Sequence, residues 1–121
     1  APKIPPTQLA LRFGIELAAF FGIGAAASRW GGHVVAAAAI AVFGLVWSIF
    51  NVKGDPSRSG RAPVVVPGAV RLLVELLTLG SGVAGFLVTR QLAVALSLSG
   101  CIVVHYLATH ARIAWLVQQH R

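Results

Sequence analysis

Four apolar stretches, each close to the ~20 residues that cross a ~30 Å hydrocarbon core as a helix, take up most of this chain. They fall at residues 7–28, 33–51, 68–89 and 91–115. Inside lipid every backbone N–H and C=O needs an internal partner, and uninterrupted apolar runs of this length meet that demand as helices. The expected fold class is all-α: a polytopic membrane protein of four transmembrane helices in a single domain, 1–121. Residues 29–32 form a tight turn between the first pair, and Arg90 marks another between the second. The segment 52–67 carries Lys53, Asp55, Arg58, Arg61 and three prolines, and is expected to be solvated backbone joining two helical hairpins.

Composition agrees: 57% of residues are hydrophobic, 11% charged, and the mean hydropathy is +0.82. Ten Lys and Arg against three acids give a formal charge of +7. The cations sit at the ends of apolar segments without the aromatic interleaving of a phosphate-tracking groove, which argues against nucleic acid as a partner. With four spans, Lys3, Arg12, Lys53, Arg58, Arg61, Arg71, Arg112 and Arg121 share one side, and only Arg29 and Arg90 the other. That asymmetry places both termini in the cytoplasm and the chain in the cytoplasmic membrane, with its basic face toward anionic lipid. The first segment holds Arg12 and Glu16 and leads to no small-residue cleavage site, so it reads as a span rather than a signal peptide. Cys101, the single cysteine, lies in an apolar run and is expected to be a buried thiol, with neither a disulfide framework nor a thiolate metal site.

The two halves repeat. A shift of 59 residues places Arg12 on Arg71, Glu16 on Glu75, Trp47 on Tyr106 and Asn51 on His110. Two Arg-x3-Glu pairs in register predict a duplicated hairpin, its copies related by a pseudo-twofold axis along the membrane normal. On Arg12-x3-Glu16 opening the first helix, Val46-Trp47 closing the second and Pro67-x3-Arg71-x3-Glu75 opening the third, the chain resembles the YrdB-like family of small bacterial four-helix membrane proteins. The resemblance implies the architecture over nearly the whole chain. It supplies no activity and no role for His105 or His110.

Glu16 lies about 6 Å deeper than Arg12 on the same helical face, and Glu75 is related to Arg71 in the same way. Ionisable groups at such depth cost at least ~2.5 kcal/mol each unless paired or hydrated, so they should face the interior. On the second and fourth helices, four-residue spacing aligns Trp47 with Asn51, His105 with Thr109 and Tyr106 with His110. Each feature has a bland counterpart. The Arg/Glu pairs serve equally as intrahelical ion pairs with snorkelling arginines, and Trp47, Tyr106 and Trp115 serve as interfacial belt residues, as does Trp30 at the opposite edge. His33 and His120 belong to the solvated edges.

His105 and His110 are about 140° apart around a helix and cannot converge on one metal; one is expected in the polar cluster and the other at the interface. The first three spans offer no interior histidine, so neither a metal, a haem nor any other cofactor is expected. The repeat also puts His105 where the first hairpin has Val46, so the two glutamates have unequal surroundings. In a shared cavity one would hold a proton and the other stay ionised. Gly14, Gly22 and Gly24 facing Gly80, Ser81, Gly82 and Gly85 would bring the first and third helices close in one half and leave a cytoplasm-facing pocket in the other.

The leading functional expectation is a metal-independent acid/base enzyme, an isomerase, cyclase or epoxide-opening type, acting on a lipophilic small molecule. Glu16, Glu75, His105 and His110 would be catalytic, and Arg12, Arg71, Trp47, Asn51, Tyr106 and Thr109 would bind the ligand. The alternatives are an accessory subunit docked on a larger membrane partner, and a proton- or cation-coupled transporter or channel, which four helices would build only as a homodimer or larger oligomer.

Overall fold

Pro6 opens the first helix, where a missing N–H and a fixed φ are harmless. The computed structural model describes residues 2–57 and 62–120; Arg58, Arg61 and Arg121, counted in the charge asymmetry, lie outside the described residues. Helix α1 is hydrogen-bonded from Pro6–Ile49 but leaves helical geometry at Gly31 and Gly32. Gly32 has φ 66°, a region side chains resist, and a Cβ on Gly31 would fall 2.0 Å from Val35 Cγ2. The two arms, 6–30 and 33–49, fold back on each other. The Trp47 ring lies 6.4 Å from the Phe20 ring and 5.4 Å from Arg12 Cζ, residues that a straight helix would separate by roughly 40–50 Å.

After a two-residue strand β1 (Phe50–Asn51), paired in parallel with β2 (Val64–Val65), the chain enters α2 (Gly68–Val88). A turn with Arg90 at φ 61° leads into α3 (Leu92–Ala108), followed by α4 (His110–Gln118). Four helices thus make up most of the described chain. Two of them, Pro6–Ile49 and Gly68–Val88, are long and apolar enough to cross a membrane, and α3 with α4 adds a third if that bent pair counts as one span.

The first arm of α1 packs on α2 through bare backbone at the end of the bundle nearer the tight turns. A Cβ on Gly82 would meet Ala19 Cα at 2.4 Å, and one on Gly85 would meet the Gly22 carbonyl oxygen at 2.0 Å. At the extreme of that end Arg29 Nη1 donates to the Val88 carbonyl, tying the first turn to the end of α2. Of the other expected small residues, Gly14 and Gly80 face open space and Gly24 faces Ile40 within its own hairpin.

Four expectations need correction. The segment 91–115 is not one helix: α3 and α4 meet at Thr109 with a 69° bend. The second segment leaves the helix at Ile49, and Phe50–Asn51 pairs with Val64–Val65. The described part of loop 52–67 is not simply solvated, because Val52, Asp55 and Val66 are buried. Cys101 sits exposed on α3 rather than in the core. The first three share one cause: the loop and α4 are drawn over the end of the bundle by charged side chains.

Candidate functional site

The chain has three acidic residues, Glu16, Asp55 and Glu75, and all three join one network with Arg12, Arg71 and Arg112. Three cations meet three anions there, so the formal charge of +7 resides wholly on residues outside it. The network fills the half of the bundle away from the glycine contacts.

Glu75 is its centre and is fully buried. Arg71, one turn earlier on α2, donates from Nε to Oε2 at 2.9 Å. Arg112 on α4 donates from Nη1 to Oε1 at 3.0 Å and from Nη2 to Oε2 at 2.6 Å. Tyr106 on α3 donates its hydroxyl to Oε1 at 2.7 Å. Each oxygen thus accepts two hydrogen bonds. Guanidinium does not give up its proton in proteins, so the arrangement holds an ionised carboxylate.

The arginines also bind other elements. Arg71 Nη1 donates to the Trp47 and Phe50 carbonyls at 2.6 and 3.0 Å, supplying a partner to carbonyls at the end of the second arm of α1, where a helix terminus welcomes positive charge. The Trp47 indole lies 4.6 Å below the Arg71 guanidinium and 5.4 Å from that of Arg12, a position for cation–π attraction rather than for an interfacial belt. Arg112 grips Asp55 with two bonds, Nε to Oδ1 at 2.8 Å and Nη2 to Oδ2 at 2.6 Å. The Ser57 N–H and hydroxyl also donate to Asp55 Oδ1. Burial alone would raise the Asp55 carboxyl, but the hydrogen bonds and charge of Arg112, with the Ser57 N–H, hold it below the usual carboxylate range.

Arg12 stands apart. It lies 3.1 Å from Glu75 Oε2 and 3.3 Å from Glu16 Oε1, yet neither contact is aligned for an N–H···O bond, and its buried guanidinium nitrogens have no hydrogen-bond acceptor among the described residues. The Trp47 Nε1 and His105 Nε2 atoms are buried in the same condition. His105 is the histidine that turns inward, its Nδ1 3.1 Å from Gln8 Oε1 one turn before Arg12. His110 is exposed, its Nδ1 2.9 Å from the Leu107 carbonyl, and takes no part in the network. Asn51 is buried, donating to the Ser48 carbonyl, and Thr109 donates to the His105 carbonyl at the bend. Trp30, His33 and His120 are exposed, as expected for edge residues.

The structure therefore gathers Arg12, Glu16, Trp47, Arg71, Glu75, His105 and Tyr106 and leaves His110 out. Asp55 and Arg112 were not foreseen as site residues. A signal for each existed: Asp55 is one of only three acids in the chain, and Arg112 continues the buried stripe His105, Thr109, Arg112, Leu116 at helical spacing. No group of three potential metal-ligating His, Cys, Asp or Glu side chains occurs among the described residues. The grooves along the helix flanks are lined almost wholly by apolar groups, among them one of about 400 Å³ between α2 and α3 that includes Leu76, Val103 and the ring of Tyr106.

Residues 10–104 match the family described as "Protein of unknown function (DUF2568)". The chain is also 36% identical over 122 residues to the uncharacterized protein YrdB of Bacillus subtilis (strain 168), covering 97% of this chain and 98% of the relative. The chain belongs to the YrdB-like family. No solved structure matches it. The family match spans both hairpins up to Val104, and so stops short of Tyr106 and Arg112, two of the groups that saturate Glu75.

Proposed function

We propose that the chain is an accessory subunit of a membrane complex, in which the Arg/Glu network clamps the helices and presents a rigid apolar exterior to a larger membrane partner. All four segments lie in the cytoplasmic membrane in this reading, with the termini, the loop and the network at the cytoplasmic side and two hairpins related by a pseudo-twofold axis. The observation that carries it is the saturation of Glu75: both oxygens are occupied by donors from three elements, and a carboxylate so held serves neither as a proton donor nor as a free base. Removing one partner from such a buried set costs ~3–5 kcal/mol, the magnitude expected of a clamp.

The test is extraction of the chain from its native membrane in a mild detergent. The reading expects migration well above the mass of the isolated chain, and loss of that larger species in Glu75→Gln in parallel with loss of stability. A chain that migrates alone at native abundance contradicts it.

A second reading keeps the acid/base enzyme on a lipophilic small molecule. It is favoured by the buried nitrogens of Arg12, Trp47 and His105 that donate no hydrogen bond among the described residues, which a polar guest would satisfy, and by the partial exposure of Glu16. Glu16 and His105 would then carry proton transfer while Arg12 stabilises developing negative charge. Full turnover by Glu16→Gln on a substrate that the wild type converts would remove this reading.

A further inference from the structure

The bend between α3 and α4 has only a weak local cause: the Thr109 hydroxyl donates to the His105 carbonyl one turn back, which loosens a helix but does not by itself turn it through 69°. From Cys101 to Gln118 the sequence contains neither glycine nor proline, and the residue at the break is Thr109, at φ −111° and ψ 27°. Helix kinks above about 20° almost always trace to Pro, Gly or an inserted group. Here the sequence on its own favours one continuous helix over residues 92–118, roughly 40 Å long and able to span a ~30 Å core, whereas α3 alone reaches about 26 Å.

What holds the bend is remote in sequence. Arg112 bonds to Asp55 of the loop and Glu75 of α2. Leu116 is buried against Gly68 so closely that a Cβ there would sit 1.5 Å from the Leu116 carbonyl oxygen, and the Gly68 N–H donates to the Gln119 carbonyl. Arg112 and Leu116 are the only buried residues of α4, and a nine-residue helix is too short to persist by itself.

We infer that α3 and α4 form a two-state helix: bent and latched over the network by the Arg112–Asp55 pair, or straight and released when that pair is broken. The straight state restores the helical hydrogen bonds interrupted at Thr109. It also takes Arg112 off both oxygens of Glu75, leaving Arg71 on Oε2 and Tyr106 on Oε1, and gives water access to the carboxylate and to the buried Arg12 nitrogens beside it. The bent state keeps the ionic bonds and the Leu116–Gly68 contact. Neither state has every advantage, which is the condition for a switch. Asp55 decides between the two states, because it lies in the loop and its carboxylate ties Arg112 of α4 to Ser57 of that same loop.

The test measures the distance between spin labels on the full chain in lipid, at Leu96→Cys on α3 and Val117→Cys on α4, both exposed positions, after Cys101→Ser removes the native thiol. Straightening a 69° bend lengthens the backbone separation by about 5 Å. The wild-type background should give the shorter distance and Asp55→Asn a population at the longer one. A second variant, Arg112→Lys, keeps the charge but loses the two-pronged grip, and should give both distances together. A single short distance in folded Asp55→Asn, or in Arg112→Lys should the first variant fail to fold, overturns the inference.

Discussion

Glu16 and Glu75 occupy equivalent places in the sequence, each four residues after an arginine at the start of a hairpin, yet they live in different physics. Glu75 has no exposed surface and accepts four hydrogen bonds from Arg71, Arg112 and Tyr106. The Glu16 side chain is 17% exposed and sits 3.3 Å from Arg12 without hydrogen-bond alignment. The difference arises outside the Arg-x3-Glu motif. Tyr106 and Arg112 lie on the α3–α4 arm, which reaches α2; under the repeat Tyr106 corresponds to Trp47, which carries no hydroxyl, and Arg112 to Lys53, which is exposed in the loop. A repeated motif fixes where a charge is inserted, and the neighbouring helix then decides what that charge does.

Substitutions at the second hairpin should therefore be the most damaging. Glu75→Gln leaves Arg12, Arg71 and Arg112 buried around a neutral amide, and is expected to lower the unfolding free energy in detergent by about 3–5 kcal/mol. A loss under 1 kcal/mol would erase the contrast. Gly82→Val attacks the other half of the same helix pair, where no charge is involved. Its Cβ meets Ala19 backbone at 2.4 Å, and separating the helices should cost about 1–3 kcal/mol in the same unfolding assay. Full stability there would mean that the ionic half alone sets the helix spacing. Glu16→Gln, at a partly exposed carboxylate, should change stability by less than about 1 kcal/mol. A larger loss would show that the two glutamates are alike after all.

The smallest effect near neutral pH belongs to Asp55, whose carboxyl is held below its ordinary value of 3.8. A depressed carboxylate stabilises the fold above its ordinary value and loses that contribution as pH falls through the lowered one. The Asp55-dependent part of stability, taken as wild type minus Asp55→Asn, should stay flat from pH 7 to about 5 and shrink only in stronger acid. A decline already complete by pH 5 would show that the latch does not hold Asp55 ionised.

Much of the fold was legible because hydropathy and helix length are local properties. The fold-back at Gly31 and Gly32, the turn at Arg90 and the close approach of Gly22 to Gly82 and Gly85 all follow from small residues or breaks placed between apolar runs. The membership of Arg12, Arg71, Glu75 and Trp47 in one cluster followed from depth and face, while helical spacing called for one of His105 and His110 to join it without deciding which. The bend at Thr109 was not legible, because the residues that impose it, Asp55 and Arg112, are 57 positions apart and neither alters local propensity. The same long-range pair draws Asp55, from a loop expected to be solvated, into the buried network.

Whether Glu75 is a clamped carboxylate or an exchangeable proton carrier is read out by infrared difference spectroscopy of wild type minus Glu75→Gln in lipid at neutral pH. A clamped carboxylate gives loss of an ionised-carboxylate band with no change in the protonated-carboxyl region. A protonated-carboxyl band present in the wild type and absent from Glu75→Gln would contradict the clamp.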